Sequence, residues 1–399
     1  MRVLGMISGT SHDGIDVAVV DFAQDGTTLR GHLTHHGSTP YTPRLRADLV
    51  AALPPRRITA EDVCALDTRI GQAFGEAARA ALAEAPADAV CSHGQTLYHW
   101  VAGNTVLGTL QIGQPAWIAQ ATGLPVVSDL RTADIAAGGQ GAPLVPLLDR
   151  MLLAPDVQQG LRAGALNLGG IANLTVAAPD SAPAAWDIGP ANALIDAVVA
   201  DSPDTPDGFD RDGRLAASGT VDEALLAELL TEPYYALAPP KSCGKELFDA
   251  LYVSGYAEKA AGRSGRLLVT ELDDLVATLT ALTAETVART VREARLDVLY
   301  VSGGGLRNPS LMAAITDRLD GLTVLPSDAL GVPSDAKEAL AFALIGWHSL
   351  HGLPGNVVAC TGASGERVLG QLTLGSTGLK SFDTPPVRPD RLVVTGGVA

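Results

Sequence analysis

The sequence predicts a two-lobed α/β protein, and three observations carry that expectation. Two hairpins of strand, glycine turn and strand recur far apart, at 2–22 and 165–176; stretches at helical spacing lie between and after them; and a chain of 399 residues is too long for one ordinary core. Similar hairpins opening two halves imply an internal duplication. The two lobes are expected to pack on each other with a cleft between, where ligands of such folds usually sit.

The first hairpin joins β-rich runs at 2–7 and 15–22 through Gly9-Thr10-Ser11-His12-Asp13-Gly14. Helix-like stretches follow at about 60–84 and 113–122, with a strand-like segment between them leading to Cys91-Ser92-His93-Gly94-Gln95. The second hairpin runs Ala165 to Leu168, Gly169 to Asn173, and Leu174 to Val176. Later, 220–231 and 270–294 carry apolar residues at helical spacing, and Val298-Leu299-Tyr300-Val301 is a buried-strand candidate running into Gly303-Gly304-Gly305, with a helix from about Pro309. Segments 177–185 and 201–210 are expected to be surface loops, and 384–399 a loosely held tail.

Hydrophobic residues make up 47% and charged ones 18%, enough apolar material for two cores. A net charge of −16 disfavours nucleic acid or an anionic membrane as partner. It says little against a nucleotide, whose phosphates are held by backbone N–H groups and helix ends. The apolar run before Ser8 is too short for a signal peptide, and no stretch approaches a membrane span. Cys64, Cys91, Cys243 and Cys360 form no C-x-x-C pair, so reduced thiols in a cytoplasmic protein are expected.

The turn Gly9 to Asp16 would let backbone N–H groups and the Thr10 and Ser11 hydroxyls reach phosphate oxygens; an ordinary hairpin turn explains it too. Asp13 or Asp16 could hold Mg²⁺ through water, or cap a turn. No G-x-x-x-x-G-K-[ST] and no strand-to-helix G-x-G-x-x-G occurs, which excludes a P-loop and removes support for a dinucleotide oxidoreductase. Gly303-Gly304-Gly305 could lie flat against a nucleoside or simply make a tight strand-to-helix connection. Taken together, the three glycine turns suggest a nucleotide gripped from both lobes. Asp187, just before Ile188-Gly189-Pro190, suits a general base at a strand end or an N-cap. Residues Asp129 to Pro143 place Arg131 and Asp134 beside small residues, as a carbohydrate site or a structural pair on a loop would. His93 and His99 lack partners at metal-ligand spacing.

Gly9 to Asp16, Asp134 to Pro143 and Asn167 to Thr175 resemble the anhydro-N-acetylmuramic acid kinases. So do His93-Gly94-Gln95-Thr96, Asp187 with Gly189-Pro190 and Asn192, Pro240-Lys241-Ser242, Glu338 to Ala343, and Thr361-Gly362-Ala363. The resemblance runs from residue 3 to about 373. It implies the actin-like ATPase fold (a duplicated ribonuclease H-like unit), a homodimer, and a place in cell-wall sugar recycling. Enzymes of this family open a 1,6-anhydro ring with water and phosphorylate O6 with ATP and Mg²⁺. On that resemblance Gly9, Thr10, Ser11, His12, Asp13, Gly14, Ile15 and Asp16 form the ATP loop, with Gly169, Gly170, Asn173, Gly303, Gly304 and Gly305 on the nucleotide, Asp187 the base, and Gln95, Arg131, Asp134 and Glu338 on the sugar. Lobe I would comprise 1–130 and about 352–385, lobe II 131–351, and the tail 386–399.

The chain departs from the family pattern at Ile188 and Ala191, where threonine and glycine are usual. It departs again at Cys243 and Lys245, often threonine and arginine, and at Asp149, where many members carry histidine. A kinase of another anhydro sugar such as levoglucosan, and a nonenzymatic sugar-sensing regulator, are the rival expectations. Against the regulator, no helix-turn-helix extension or basic patch is visible.

Overall fold

In the computed structural model, residues 1–103, 105–200, 205, 208–239, 241–243, 247–248, 250–264, 271–378 and 382–397 are described. They form a mixed α/β protein with two sheets. The strands of the first are β1 (Arg2–Ser8), β2 (Gly14–Asp25), β3 (Thr28–Pro40), β4 (Ala89–Ala102), β5 (Thr105–Ile112) and β6 (Val126–Ser128). Those of the second are β7 (Ala163–Leu168), β8 (Ile171–Ala178), β9 (Ser181–Pro190), β10 (Val298–Ser302) and β11 (Thr323–Pro326), while β12 (Gln371–Thr373) and β13 (Arg391–Gly396) return to the first.

The duplication is visible in the strand order. The first sheet runs β12-β6-β4-β1-β2-β3-β13, with β5 paired to β4, and the second runs β11-β10-β7-β8-β9. In each, an antiparallel three-strand meander is followed by a strand parallel to the meander's first strand, β4 on β1 and β10 on β7. A further parallel strand extends each sheet, β6 on β4 and β11 on β10. Parallel neighbours need crossover connections, and the helices that make them supply the covering layers.

The chain divides into compact units at 1–155 with 330–399, and at 156–329. The first break falls at Pro155, inside the helix Pro146–Gln158, where proline removes an intrahelical donor. The expected boundaries at 131 and 351 differ from this division. Residues 330–351 belong with the first sheet because helix Lys337–Leu350 packs on β1 through a stripe of small residues, and residues 131–155 are tied to the same unit through Arg131 on His93 and Asp149 on Lys337. A Cβ on Gly5 would fall on the backbone of Ala339 and Ala343, and one on Gly346 would strike Cys91. Neither position has space for a larger residue.

Two loop expectations also change. Of the expected loop at 177–185, residues 177–178 end β8 and 181–185 begin the edge strand β9, Pro183 being tolerated because an edge strand can spare a donor. Residues 391–396 are not a loose tail. They pair in parallel with β3, burying Leu392 and Val394 on alternate positions. Segment 201–210 lies largely outside the described residues, as do Pro240, Lys245 and the chain end at 398–399.

The core of the first unit gathers Leu4, Met6, Val17 and Val19 under Ile70, Phe74 and Ile118. The helix Ala60–Glu84 that carries Ile70 and Phe74 starts on a Thr59–Asp62 capping box. In the second unit, Leu166, Leu174, Leu299 and Val301 pack under Val287 and Val291. Because Gly5 meets backbone and not flexible side-chain ends, Gly5→Val is expected to lower stability by about 3 kcal/mol or to prevent folding. Urea unfolding measures it, and a midpoint within error of wild type would show that the helix can shift away.

Candidate active site

The expected site residues fall into two groups, one within each unit. In the first, Ser8 ends β1 and Gly14 begins β2, leaving residues 9–13 as the turn. His12 takes a left-handed φ of 54° and donates its N–H to Gly9 O at 3.3 Å. Gly14 is required because a Cβ there would lie 2.6 Å from Thr39 O. From outside, Tyr41 N–H reaches Asp13 O at 2.9 Å and Arg46 Nε reaches His12 O at 3.1 Å. From beneath, Ser8 Oγ donates to Gln95 Oε1 at 2.6 Å, and Gln95 Nε2 donates to Thr96 O at 3.2 Å. Gln95 is 1% exposed, so its amide is committed to the floor of the turn. Thr10, Ser11 and Asp13 are the exposed or partly exposed residues at its rim.

Glu338, at the start of helix Lys337–Leu350, comes beside this turn: its Oε2 is 3.9 Å from where a Gly9 Cβ would sit. Burial raises its carboxyl above the usual range, and Asp16 adds to the rise, while Lys337 and Arg131 oppose it. Burial likewise raises Asp16; Ser38 opposes by a hydrogen bond, and Asp13 and Asp335 push further up. Burial, and then a neighbouring carboxylate, thus disfavours the charged form of both Asp16 and Glu338. Lys337 is itself engaged, forming a buried 2.8 Å ion pair with Asp149. The departure at Asp149 thus has a physical reason, since it answers a buried ammonium.

Arg131 donates from Nε to His93 Nε2 at 2.9 Å and from Nη1 to Gly141 O at 2.6 Å. His93 Nδ1 lies 3.0 Å from Gly94 O, which assigns its proton to Nδ1 and leaves Nε2 as acceptor. Burial first, then Arg131, lowers the imidazole to about 3, so it is neutral. Burial lowers Arg131 to about 10, opposed by Glu338 and Asp134, so it keeps its charge at neutral pH. His99 pairs across the hairpin with Thr109 at 3.0 Å.

Asp134 is fully buried and accepts from Gly141 N at 2.8 Å, Asn356 Nδ2 at 2.7 Å and Thr361 Oγ1 at 2.7 Å. Gly139 faces the same carboxylate with no room for a Cβ. In the structure, Asp134 therefore fastens the 131–143 loop to a segment more than 200 residues later. Sequence reading missed Asn356, whose partner is too distant in the chain for any spacing to show it.

In the second unit the turn of the β7–β8 hairpin is Gly169-Gly170, and its carbonyls are consumed by the start of helix Asn192–Ala200. Asn192 Nδ2 reaches Leu168 O at 3.1 Å and Gly169 O at 2.8 Å, while Ala191 N and Ala193 N reach Gly170 O at 2.9 and 3.0 Å. Ala191 and Ile188, the departures here, are both buried. Gly303 adopts φ 87°, and a Cβ there would lie 2.5 Å from Asn167 Oδ1; one on Gly305 would lie 2.7 Å from Leu168 Cβ. Gly304 alone of the three faces open space.

Asp187 sits within β9, opposite Asn173 of β8, and not at an N-cap. Its Oδ2 accepts from Ser242 Oγ at 2.9 Å and Cys243 N at 3.0 Å. A cavity of about 240 Å³ is lined by Trp186 and Ile188, which alternate with Asp187 along the strand, together with Lys241, Arg289 and Glu293. Asp187 itself is not among the residues that line it. Among the described residues no group of three His, Cys, Asp or Glu is arranged to hold a metal.

The class that comparison with known proteins gives is sugar kinase. The family described as "Anhydro-N-acetylmuramic acid kinase" matches residues 1–375. The anhydro-N-acetylmuramic acid kinase of Rhodococcus erythropolis is 50% identical over 403 residues, covering 98% of each chain. That of Streptomyces coelicolor is 50% identical over 400 residues, covering 100% of each. Among solved structures, component A of the (R)-2-hydroxyglutaryl-CoA dehydratase of Acidaminococcus fermentans is 11% identical, with a TM-score of 0.43 over 86% of this chain and 96% of that one. The chain belongs to the anhydro-N-acetylmuramic acid kinase family.

The buried imidazoles set a pH dependence. His93 is lowered to about 3 and His348, also buried first of all, to about 4, against 6.5 when unfolded. The unfolded chain therefore binds more protons between these values, so the stability is present above pH 6.5 and lost as pH falls. Each contributes about 1.4 kcal/mol per pH unit below 6.5. The raised carboxyls of Asp16 and Glu338 act with the opposite sign at lower pH. Urea midpoints at pH 7.5 and 5.5 are expected to fall for the wild type and to fall less for His93→Gln; equal falls would refute the assignment.

Proposed function

We propose that this chain uses ATP and water to convert 1,6-anhydro-N-acetylmuramic acid to N-acetylmuramic acid 6-phosphate, in the recycling of cell-wall sugar. The observation that carries the reading is the end-to-end identity of 50% with relatives of that name. The local chemistry supports it. Asp187 is a carboxylate whose rotation is restrained through one oxygen, as a general base requires. The turn at residues 9–13 is held from below and outside and exposes Thr10 and Ser11 at its rim, where backbone N–H groups of a glycine turn can approach phosphate.

In this reading Asp187 takes a proton from water as that water attacks the anomeric carbon. The C1–O6 bond breaks, and O6 accepts the γ-phosphoryl group as the bond from the γ-phosphorus to the bridging oxygen breaks and ADP leaves. The second hairpin and Gly303 to Gly305 bind the nucleotide, and Gly304 is the one of those three glycines with open space before it. Arg131 and Glu338 recognise the sugar; Gln95 and Asp134 serve the same site by holding its turn and its loop. Mg²⁺, when bound with the nucleotide, neutralises phosphate charge. Asp13 and Asp16 would hold it through water, and the raised carboxyls of Asp16 and Glu338, each buried and beside another carboxylate, fit a place that a cation relieves. A homodimer in the cytoplasm belongs to the same reading. It is supported by the resemblance, and among the described residues no helix is long and apolar enough to cross a membrane.

Incubation with ATP and the anhydro sugar in ¹⁸O-labelled water tests the reading. Label is expected on the anomeric oxygen and none in the transferred phosphoryl group; label in the phosphoryl group, or no product, overturns it. Asp187→Asn is expected to lower turnover by about 10²–10⁴-fold while ATP affinity stays near wild type. Wild-type turnover in that variant would make Asp187 a structural residue.

A further inference from the structure

β9 is the edge of the second sheet, where main-chain groups ordinarily face solvent. At Asp187 it is covered. The Asp187 N–H donates to Lys241 O at 3.1 Å, and Tyr234 Oη donates to Asp187 O at 2.8 Å. Ser242 Oγ and Cys243 N donate to the same carboxylate oxygen, Oδ2, at 2.9 and 3.0 Å. The two parts of this cover are tied together by Lys241 Nζ, which donates to the carbonyls of Tyr234 and Tyr235 at 3.1 and 3.3 Å and lies 4.7 Å from the centre of the Tyr234 ring. Backbone and side chain of one residue are gripped from a single segment.

We propose that Ser242 is a positioning residue for Asp187: with the Cys243 N–H it fixes the rotation of the carboxylate through Oδ2 and holds it in the charged form. The inference rests on reading Asp187 as the base. Two donors on one oxygen select one rotamer and direct the carboxylate's remaining basicity away from them. Donation to an ionised carboxylate also lowers its pKa, because the charged form accepts more strongly.

Among the described residues the cover brings Tyr234, Lys241 and Cys243, whereas β8, paired to β9, carries no titratable side chain. Arg289 and Glu293 stand on the cavity side with Trp186 and Ile188. Burial holds Tyr234 well above the usual phenol range, so it remains a neutral donor. Burial lowers Lys241, with Cys243 and Glu293 opposing. Ser242→Ala removes a hydroxyl and changes none of these groups.

The test is the pH profile of kcat/KM for the sugar. In Ser242→Ala the acid limb is expected to move up by about half to one pH unit, a range already reduced because the Ser242 hydroxyl is exposed. On the plateau kcat should fall about tenfold from lost orientation, with KM for ATP within about twofold of wild type as the check on folding. Ser242→Thr, which keeps the hydroxyl, should restore the limb. A limb that does not move in Ser242→Ala overturns the proposal whatever happens to kcat. Asp187→Asn measured beside it distinguishes the failures. Turnover retained there overturns the base and the positioning role together, whereas turnover lost there with an unmoved limb in Ser242→Ala overturns the positioning role alone.

Discussion

The first unit depends on one close approach, that of helix Lys337–Leu350 to β1. Gly5 has no Cβ because the backbone of Ala339 and Ala343 occupies its place, and Gly346 repeats the arrangement against Cys91. The chain leaves this unit after Pro155 and rejoins it at Leu330. Closing so long a loop costs entropy that grows only slowly with length, so a densely packed seam can offset it. The same seam decides chemistry. By fixing the helix on β1 it places Glu338, the residue after the helix start, beside the turn that follows β1.

Charge in this unit is organised by pairing and by restraint. The Lys337–Asp149 pair is buried on both sides; such a pair adds little net stability, but breaking it leaves an uncompensated buried charge. Arg131 keeps its charge by leaning on a neutral imidazole and a carbonyl, leaving nearby Glu338 and Asp134 as its balancing charges. The carboxyls of Asp16 and Glu338 are not balanced to the same degree: burial, and then a neighbouring carboxylate, raises both.

The second unit uses the same strand order for a different end. Its hairpin has only Gly169 and Gly170 at the turn, and a helix N-terminus consumes their carbonyls. The edge strand of its meander then carries Asp187, covered by Tyr234, Ser242 and Cys243 through donors that meet both main chain and carboxylate. Duplicated topology thus supports two unlike surroundings, because what differs is the cover on each meander and not the meander itself.

Local pattern was enough for much of this protein. The glycine turns at 9–14 and 169–170, the helices Ala60–Glu84 and Leu272–Ala294 and the strand Val298–Ser302 are written in spacing and turn chemistry that neighbouring residues share, and the motifs were enough to place the chain among kinases. What sequence left open were contacts between distant residues. The 391–396 segment becomes a strand only because β3 offers an edge, residues 131–155 join the first unit because Arg131, Asp134 and Asp149 meet His93, Asn356, Thr361 and Lys337, and Gln95 turns out to be the floor of the 9–13 turn because Ser8 Oγ donates to it. Periodicity reports which face of an element is apolar; it does not report which polar group will meet another hundreds of residues away. That choice is made by packing, where a missing Cβ or a buried donor admits one partner and excludes the rest.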